Sequence, residues 1–403
     1  MRVAVIGGGA AGFFSAIAAA ETGRAEVHVF EASSRCLEKV RISGGGRCNV
    51  THACFDSAEL CKAYPRGYRE LRQAFSRFMT IDTVDWFTAR GVELKAEADG
   101  RMFPVTDDSM SIVACLSDAA KEAGVMIHYR SRVTSISVHS DVFILDFLNG
   151  PELSFDKLII ATGGQPKLEG FSWLKKLGHT VSSPVPSLFT FNIPHIPLHE
   201  LMGLSVESAQ VSIVGTDLQE EGPLLITHWG LSGPAVLKLS STAARTLAEK
   251  QYRFTVSVNW LPAFDEQDTL EWINGQRVNS GSAKVRNTNP VGLPRRLWEF
   301  LLMDSGISET ANWSDLRKDI IKKLLLVIHH QTFHVSGKTT FKEEFVTCGG
   351  IELREVDFKT MQSKIVPGLF FAGEVLDIDA VTGGYNFQAA WTTGFIAGKS
   401  VVQ

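Results

Sequence analysis

The sequence has no C-x-x-C pair and no cysteine and histidine cluster at zinc spacing; its six cysteines are Cys36, Cys48, Cys54, Cys61, Cys115 and Cys348. That argues against a dithiol redox centre and a structural zinc. Isolated thiols suit a reducing compartment. Long apolar runs are also missing, since none approaches the roughly 20 residues that span a bilayer. No basic, apolar and small-residue leader precedes the first apolar run, so an unprocessed cytoplasmic chain without membrane attachment is expected. Charge of one sign is lacking too: 40 Lys plus Arg stand against 44 Asp plus Glu, a formal net charge of -4. This gives no electrostatic footprint for nucleic acid.

What is present begins at the first residue. Arg2 to Ile6 is a short apolar strand, Gly7-Gly8-Gly9-Ala10-Ala11-Gly12 is a G-x-G-x-x-G, and a small-residue helix from Phe13 to Glu21 ends near Gly23. A second strand, Glu26 to Phe30, delivers Glu31. The order is that of a dinucleotide fold: Gly7 for the tight turn, Gly9 for close approach of a pyrophosphate, Gly12 for helix-strand packing. Glu31 lies 22 residues after Gly9 (31 - 9 = 22), near the spacing of about 20 at which a carboxylate meets the adenosine ribose. An acid there favours FAD or NAD over NADP.

Further glycine turns suit the same ligand. Ser43-Gly44-Gly45-Gly46-Arg47-Cys48-Asn49 is a backbone that can lie against a cofactor, with Arg47 able to meet phosphate and Asn49 able to cap or contact it. Cys48 is either a thiol beside a flavin or an inert buried one. The strand Lys157 to Ala161 runs into Thr162-Gly163-Gly164, and Leu369 to Ala372 into Gly373-Glu374. Gly384-Tyr385-Asn386-Phe387-Gln388 then opens a helix whose free amides suit the flavin edge that gains negative charge on reduction. Between the strand Arg132 to Val138 and these late motifs, the texture changes from about residue 189. Phe191 to Ile196, Gln210 to Gly215 and Tyr252 to Trp260 are strand-like, the last alternating as a sheet with one covered face. Residues 189-335 are expected to be an inserted substrate-side domain in an FAD-binding domain of residues 1-188 and 336-403. Its linkers are marked by Ser183-Pro184-Val185-Pro186 and Val335-Ser336-Gly337. Within it, His228 in Thr227-His228-Trp229-Gly230 is the candidate catalytic acid, or else a histidine that holds its turn together.

Taken together, the motifs from Gly7 to Gly12, Ser43 to Thr51, Gly100 to Val105, Thr227 to Pro234, Thr360 to Lys364 and above all Ala372 to Gln388 resemble the BaiN-like NAD(P)/FAD-dependent oxidoreductases, which include aminoacetone-oxidase-type flavoproteins. The likeness covers nearly the whole chain. It implies an α/β fold, a glutathione-reductase-like FAD-binding Rossmann fold interrupted by an inserted α+β domain with a barrel-like sheet plus helices. It carries over as FAD contacts Gly7, Gly9, Gly12, Glu31, the Gly44 to Asn49 loop, Val133, Thr162, Glu374 and Asn386, with Ala11, Ala32, Ala161, Gly163, Gly373, Gly384, Tyr385, Phe387 and Gln388 beside them. Val133 is implied as the backbone contact for adenine by the resemblance alone. Arg35-Cys36-Leu37-Glu38-Lys39 departs from the family pattern of a glycine and a basic pair, and Ala380 stands where glycine is usual.

The expected activity is hydride transfer between flavin N5 and a small organic substrate, amine or enone, bound where the insert meets the flavin face. One nucleotide fingerprint leaves no dedicated NAD(P)H domain, so oxygen or a transient NAD(P)H completes the redox cycle. No metal is expected. The alternatives are a flavoprotein acting on RNA and a flavin-binding sensor without turnover.

Overall fold

A computed structural model of the chain describes residues 1–194, 197–339 and 346–403. It divides into two compact units, residues 1–187 with 342–403, and residues 188–341.

The first unit is built on β1 (Arg2–Ile6), α1 (Ala10–Ala20), β2 (Glu26–Phe30), α2 (Glu38–Ile42), β3 (Lys157–Ile160), β4 (Leu369–Phe371) and α3 (Tyr385–Val401). Its main sheet runs in the order Val356–Asp357, Gln362–Ser363, β4, β3, β1, β2, Met126–His128. From β4 to Met126–His128 all pairs are parallel. These strands are near-continuous apolar runs because helices cover parallel sheets on both faces. The chain order reverses at β1, flanked by β2 on one side and β3 on the other, so a crevice opens at its carboxyl end.

Helix α1 is buried from Ala11 to Ala20, and α3 lies against it. A Cβ on Gly394 would come within 2.8 Å of Ala11 O, and one on Gly398 would overlap Ser15 O. Small residues thus let two helix backbones approach closely behind the crevice. Met126–His128 supplies an edge strand of the main sheet, and Val133–His139, Val142–Phe147 and Leu153–Phe155 form a small meander.

The second unit carries a seven-stranded antiparallel sheet covered by helices, with a separate core that includes Trp260, Trp298 and Trp313. The expected strand Phe191 to Ile196 is Thr190–Asn192, and Ile196 lies outside the described residues. Both expected linkers are strand or turn. Ser183 to Pro186 sits inside Val181–Ser187, which pairs with Val346–Ile351 through a bulge between Ser182 and Val185. Its two prolines are tolerated there because this sheet has only two strands. Val335 to Gly337 is the turn into Gly337–Thr339, which pairs with Thr190–Asn192. Among the described residues, no helix is long and apolar enough to cross a membrane.

Candidate active site

The crevice is first a matter of glycines. Gly7 has φ +111°, and a Cβ there would overlap Ala161 O; one on Gly12 would overlap Gly7 O. Both are therefore sealed against backbone. Gly9 is the opposite: a Cβ there meets nothing within 4 Å. Open space thus lies beside the start of α1, where the first amides have no intrahelical acceptor and the helix dipole favours an anion. Ala11 is buried against the Gly373 turn, where a Cβ on Gly373 would come within 2.7 Å of Ala11 Cβ.

Glu31 leaves the end of β2 beside this loop. Its Oε2 accepts from Gly8 N (2.9 Å) and its Oε1 from Ser33 N (2.7 Å). Those bonds fix the carboxylate and leave lone pairs for ribose hydroxyls. Ala32 is exposed next to it. Ser131 N donates to Glu31 O (2.8 Å) and Arg130 N to Ser33 O (2.9 Å), so the segment leading into Val133 lies alongside. Cys36 also faces this corner, its thiol pushed up to about 12 by burial and by Glu31.

The second glycine loop has an unusual backbone. Gly44, Gly45 and Gly46 are all left-handed, at φ 58°, 69° and 86°, and Cys48 follows at φ 61°. A Cβ on Gly45 or Gly46 meets nothing within 4 Å, so this loop too offers bare backbone. Its side chains go elsewhere. Arg47, expected to meet phosphate, donates to Glu97 (2.6 Å), lies 3.6 Å from Asp107 and sits over the Phe103 ring. Those two carboxylates and the ring hold the guanidinium to the Leu94–Ala96 and Arg101–Pro104 hairpin. Cys48 is buried and its thiol is pushed up to about 12 by burial, which removes the thiolate a flavin-side nucleophile needs. Asn49, oriented by its partners, donates to Thr51 O and accepts from Gly384 N, both at 3.0 Å, and so ties this loop to the start of α3.

At the far end of the crevice, Ala161 N donates to Ile6 O (2.8 Å), and Thr162-Gly163-Gly164 turns beside Glu374. A Cβ on Gly164 would come within 2.7 Å of Glu374 Oε1. Glu374 accepts from Thr347 N through Oε1 (2.8 Å) and from Lys39 Nζ through Oε2 (2.8 Å). Thr347 Oγ1 is buried without a hydrogen-bond partner among the described residues. Two acids at strand ends, two stretches of open glycine backbone and an orphaned hydroxyl fit an extended dinucleotide.

Around the start of α3 the structure redirects several expected contacts. The Asn386 side chain spans the backbone of Ala380, accepting from its N (3.0 Å) and donating to its O (3.2 Å). Gln388 is fully buried; its Oε1 accepts from Thr51 and Thr83 hydroxyls (2.6 and 3.0 Å) and its Nε2 donates to Thr392 Oγ1 (3.1 Å). Phe387 stacks on Trp391. Only backbone at these positions remains for a cofactor. Sequence reading missed His52, whose ring stacks on Tyr385 (4.5 Å) and whose Nδ1 pairs with Gly383 O (3.0 Å). It also missed Tyr64, which donates to Tyr385 O (2.7 Å), and Lys39. Those partners lie hundreds of residues apart, at no motif spacing.

In the second unit His228 is exposed at the tip between Gln219–Ile226 and Gly230–Ser232. The turn is held by Thr227, not by His228: Thr227 N donates to Gly230 O (2.8 Å), and Thr227 Oγ1 accepts from Trp229 N and Gly230 N (3.2 Å each). His228 packs against the exposed Trp229 ring at 4.4 Å. No group of three or more metal-ligating side chains gathers among the described residues.

A family model described as the HI0933-like protein Rossmann domain matches residues 1–400. The chain is similar to a ribosomal RNA dihydrouridine synthase of Escherichia coli (strain K12), 32% identical over 99% of this chain and 97% of that protein. It is also similar to a 3-dehydro-bile acid delta(4,6)-reductase of Clostridium scindens, 26% identical over 100% and 99%. Among solved structures, 3-ketosteroid-delta4-(5alpha)-dehydrogenase from Rhodococcus jostii RHA1 shares the fold at a TM-score of 0.51, with 15% identity over 100% of this chain and 96% of that one.

Proposed function

The chain belongs to the HI0933-like Rossmann family and is an FAD-dependent oxidoreductase; from that premise we propose that it reduces a carbon-carbon double bond conjugated to a carbonyl. The observation that carries the reading is that two relatives aligned over nearly their whole length are named for hydrogenating such a bond. One is named for making dihydrouridine in ribosomal RNA, the other for reducing a delta(4,6) system in a 3-dehydro bile acid. Saturating such a bond takes a hydride at the electron-poor carbon, β to the carbonyl or δ where the conjugation is extended, and a proton at a carbon that gains negative charge.

FAD, when bound, supplies the hydride. The protein's own residues hold the cofactor: the open backbone at Gly9 and the start of α1 for the diphosphate, Glu31 and the chain before Val133 for the adenosine, Glu374 and the Thr162 turn for the ribityl and flavin half. We assign His228 as the proton donor because it is an exposed residue on a turn held by Thr227 and not by its own ring. Uridine in ribosomal RNA is the favoured substrate, since the relatives of that name are 32% and 30% identical. A free enone is the second reading, favoured by the net charge of -4.

The test is reoxidation of the NAD(P)H-reduced holoenzyme under argon, with transcribed ribosomal RNA in one arm and a 3-oxo-4,6-diene steroid in the other. Dihydrouridine in the first arm supports the favoured reading, and a reduced steroid alone supports the second. Turnover of neither would overturn both. H228Q should lower kcat by about 100-fold with an unchanged flavin spectrum.

A further inference from the structure

We propose that Lys39, and not Arg47, is the cation that holds the cofactor's diphosphate, lying as a strap across the crevice; this rests on the FAD reading above. The geometry is a matter of topology. Glu31 follows β2 and Glu374 follows β4, and between those strands stand β1 and β3. Three strand spacings separate the two acids, about 14 Å. Lys39 belongs to α2, which follows β2 in the chain, yet its Nζ lies 2.8 Å from Glu374 Oε2. It gets there because Leu37 N donates to Gly8 O (2.8 Å), which brings the chain entering α2 back over the glycine loop at the end of β1. From that point the Lys39 side chain reaches Glu374, beyond β3 in the sheet order. Its two ends thus lie at the glycine loop after β1 and at the acid after β4, the stretch along which the open ground beside Gly9 suits a diphosphate.

Charge requires such a group. Glu31 and Glu374 each carry a negative charge along the crevice, and a diphosphate adds about two more, against a helix dipole worth about half a charge. Arg47 is spent on Glu97 and Asp107. Lys39 is more than half exposed and Glu374 one-fifth, so their pair is an accessible one and contributes little by itself. An ammonium there is shared with phosphate oxygens at small cost. Glu374 keeps its other oxygen on Thr347 N and stays in place while Lys39 is shared.

The experiment compares wild type, K39M, K39R and R47M. FAD affinity is read by quenching of FAD fluorescence on binding, ADP affinity by displacement of FAD, and folding by thermal melts. K39M should weaken both FAD and ADP by about tenfold or more, the scale of one charge-assisted hydrogen bond. It should flatten the salt dependence of both, with an unchanged melting temperature of the cofactor-free protein. K39R should restore most of the affinity, and R47M should leave ADP affinity within about threefold of wild type. Equal ADP affinity in K39M and wild type overturns the proposal, as does a larger loss in R47M than in K39M. Wild-type protein that binds no FAD would sink the cofactor reading instead, a different outcome from either.

Discussion

The two ends of the crevice are built on different principles. At the β1 end the chain presents backbone: Gly9 and the start of α1 face open space, and Gly7 and Gly12 are closed against their neighbours. At the α3 end it spends side chains on itself. Asn386 clamps Ala380, Gln388 ties Thr51, Thr83 and Thr392 together, and Asp379 is buried against Arg66 and Ser187. The β1 end is thus specified by what is absent from its residues, while the α3 end is specified by polar groups facing inward.

Alanine at two glycines gives the sharpest break between these principles. G12A places a methyl on Gly7 O between α1 and β1 and should abolish folded protein or cost more than about 4 kcal/mol. G9A should keep the melting temperature within about 2 °C and lose FAD. Melts and flavin absorbance on both variants check this, and equal stability losses would erase the distinction. Next is the inward polar chemistry of the other end. R66M strands the Asp379 carboxylate, whose side chain is fully buried, and should cost about 3 kcal/mol in urea unfolding. Burial already raises the Asp379 pKa against the pull of Arg66, so the variant should unfold at lower urea at pH 8 than at pH 5. Q388L should cost about 2 kcal/mol by leaving the buried Thr51 hydroxyl unpartnered and Thr83 with only Met79 O, without a direct effect on FAD affinity; a selective loss of FAD would return Gln388 to the cofactor.

The smallest effect concerns pH. Burial lowers the pKa of His179, which bridges Glu355 and Ser363, and of His329, which contacts Thr269 and Asn259. Because the folded values lie below the unfolded value of about 6.5, folding favours the neutral rings. The stability they contribute is present above pH about 6.5 and is lost as pH falls through the depressed folded values. Melts from pH 7.5 to 5 should decline, and H179Q should flatten part of the decline. An unchanged slope would exclude His179 as a contributor.

The same contrast explains what could be read in advance. The roles of Gly7, Gly9 and Gly12, and the strands around them, follow from local sequence because they are properties of the backbone at those positions. Arg47 and Asn49 sit five and seven residues from Ile42 in one loop, yet one turns to the Glu97 hairpin and the other to α3. Such directions are settled by partners brought in from 50 to over 330 residues away. Lys39 was invisible because its partner lies 335 positions on.

The ladder of Val181–Ser187 against Val346–Ile351 joins Ser187 directly to Val346. In formal terms it is a β-hairpin, and everything between is its loop, 158 residues long (346 - 187 - 1 = 158). A hairpin sets only the distance between the ends of its loop and is indifferent to the loop's contents. The two chain positions that lead into and out of the second unit are therefore held together by the first unit's own strand pairing.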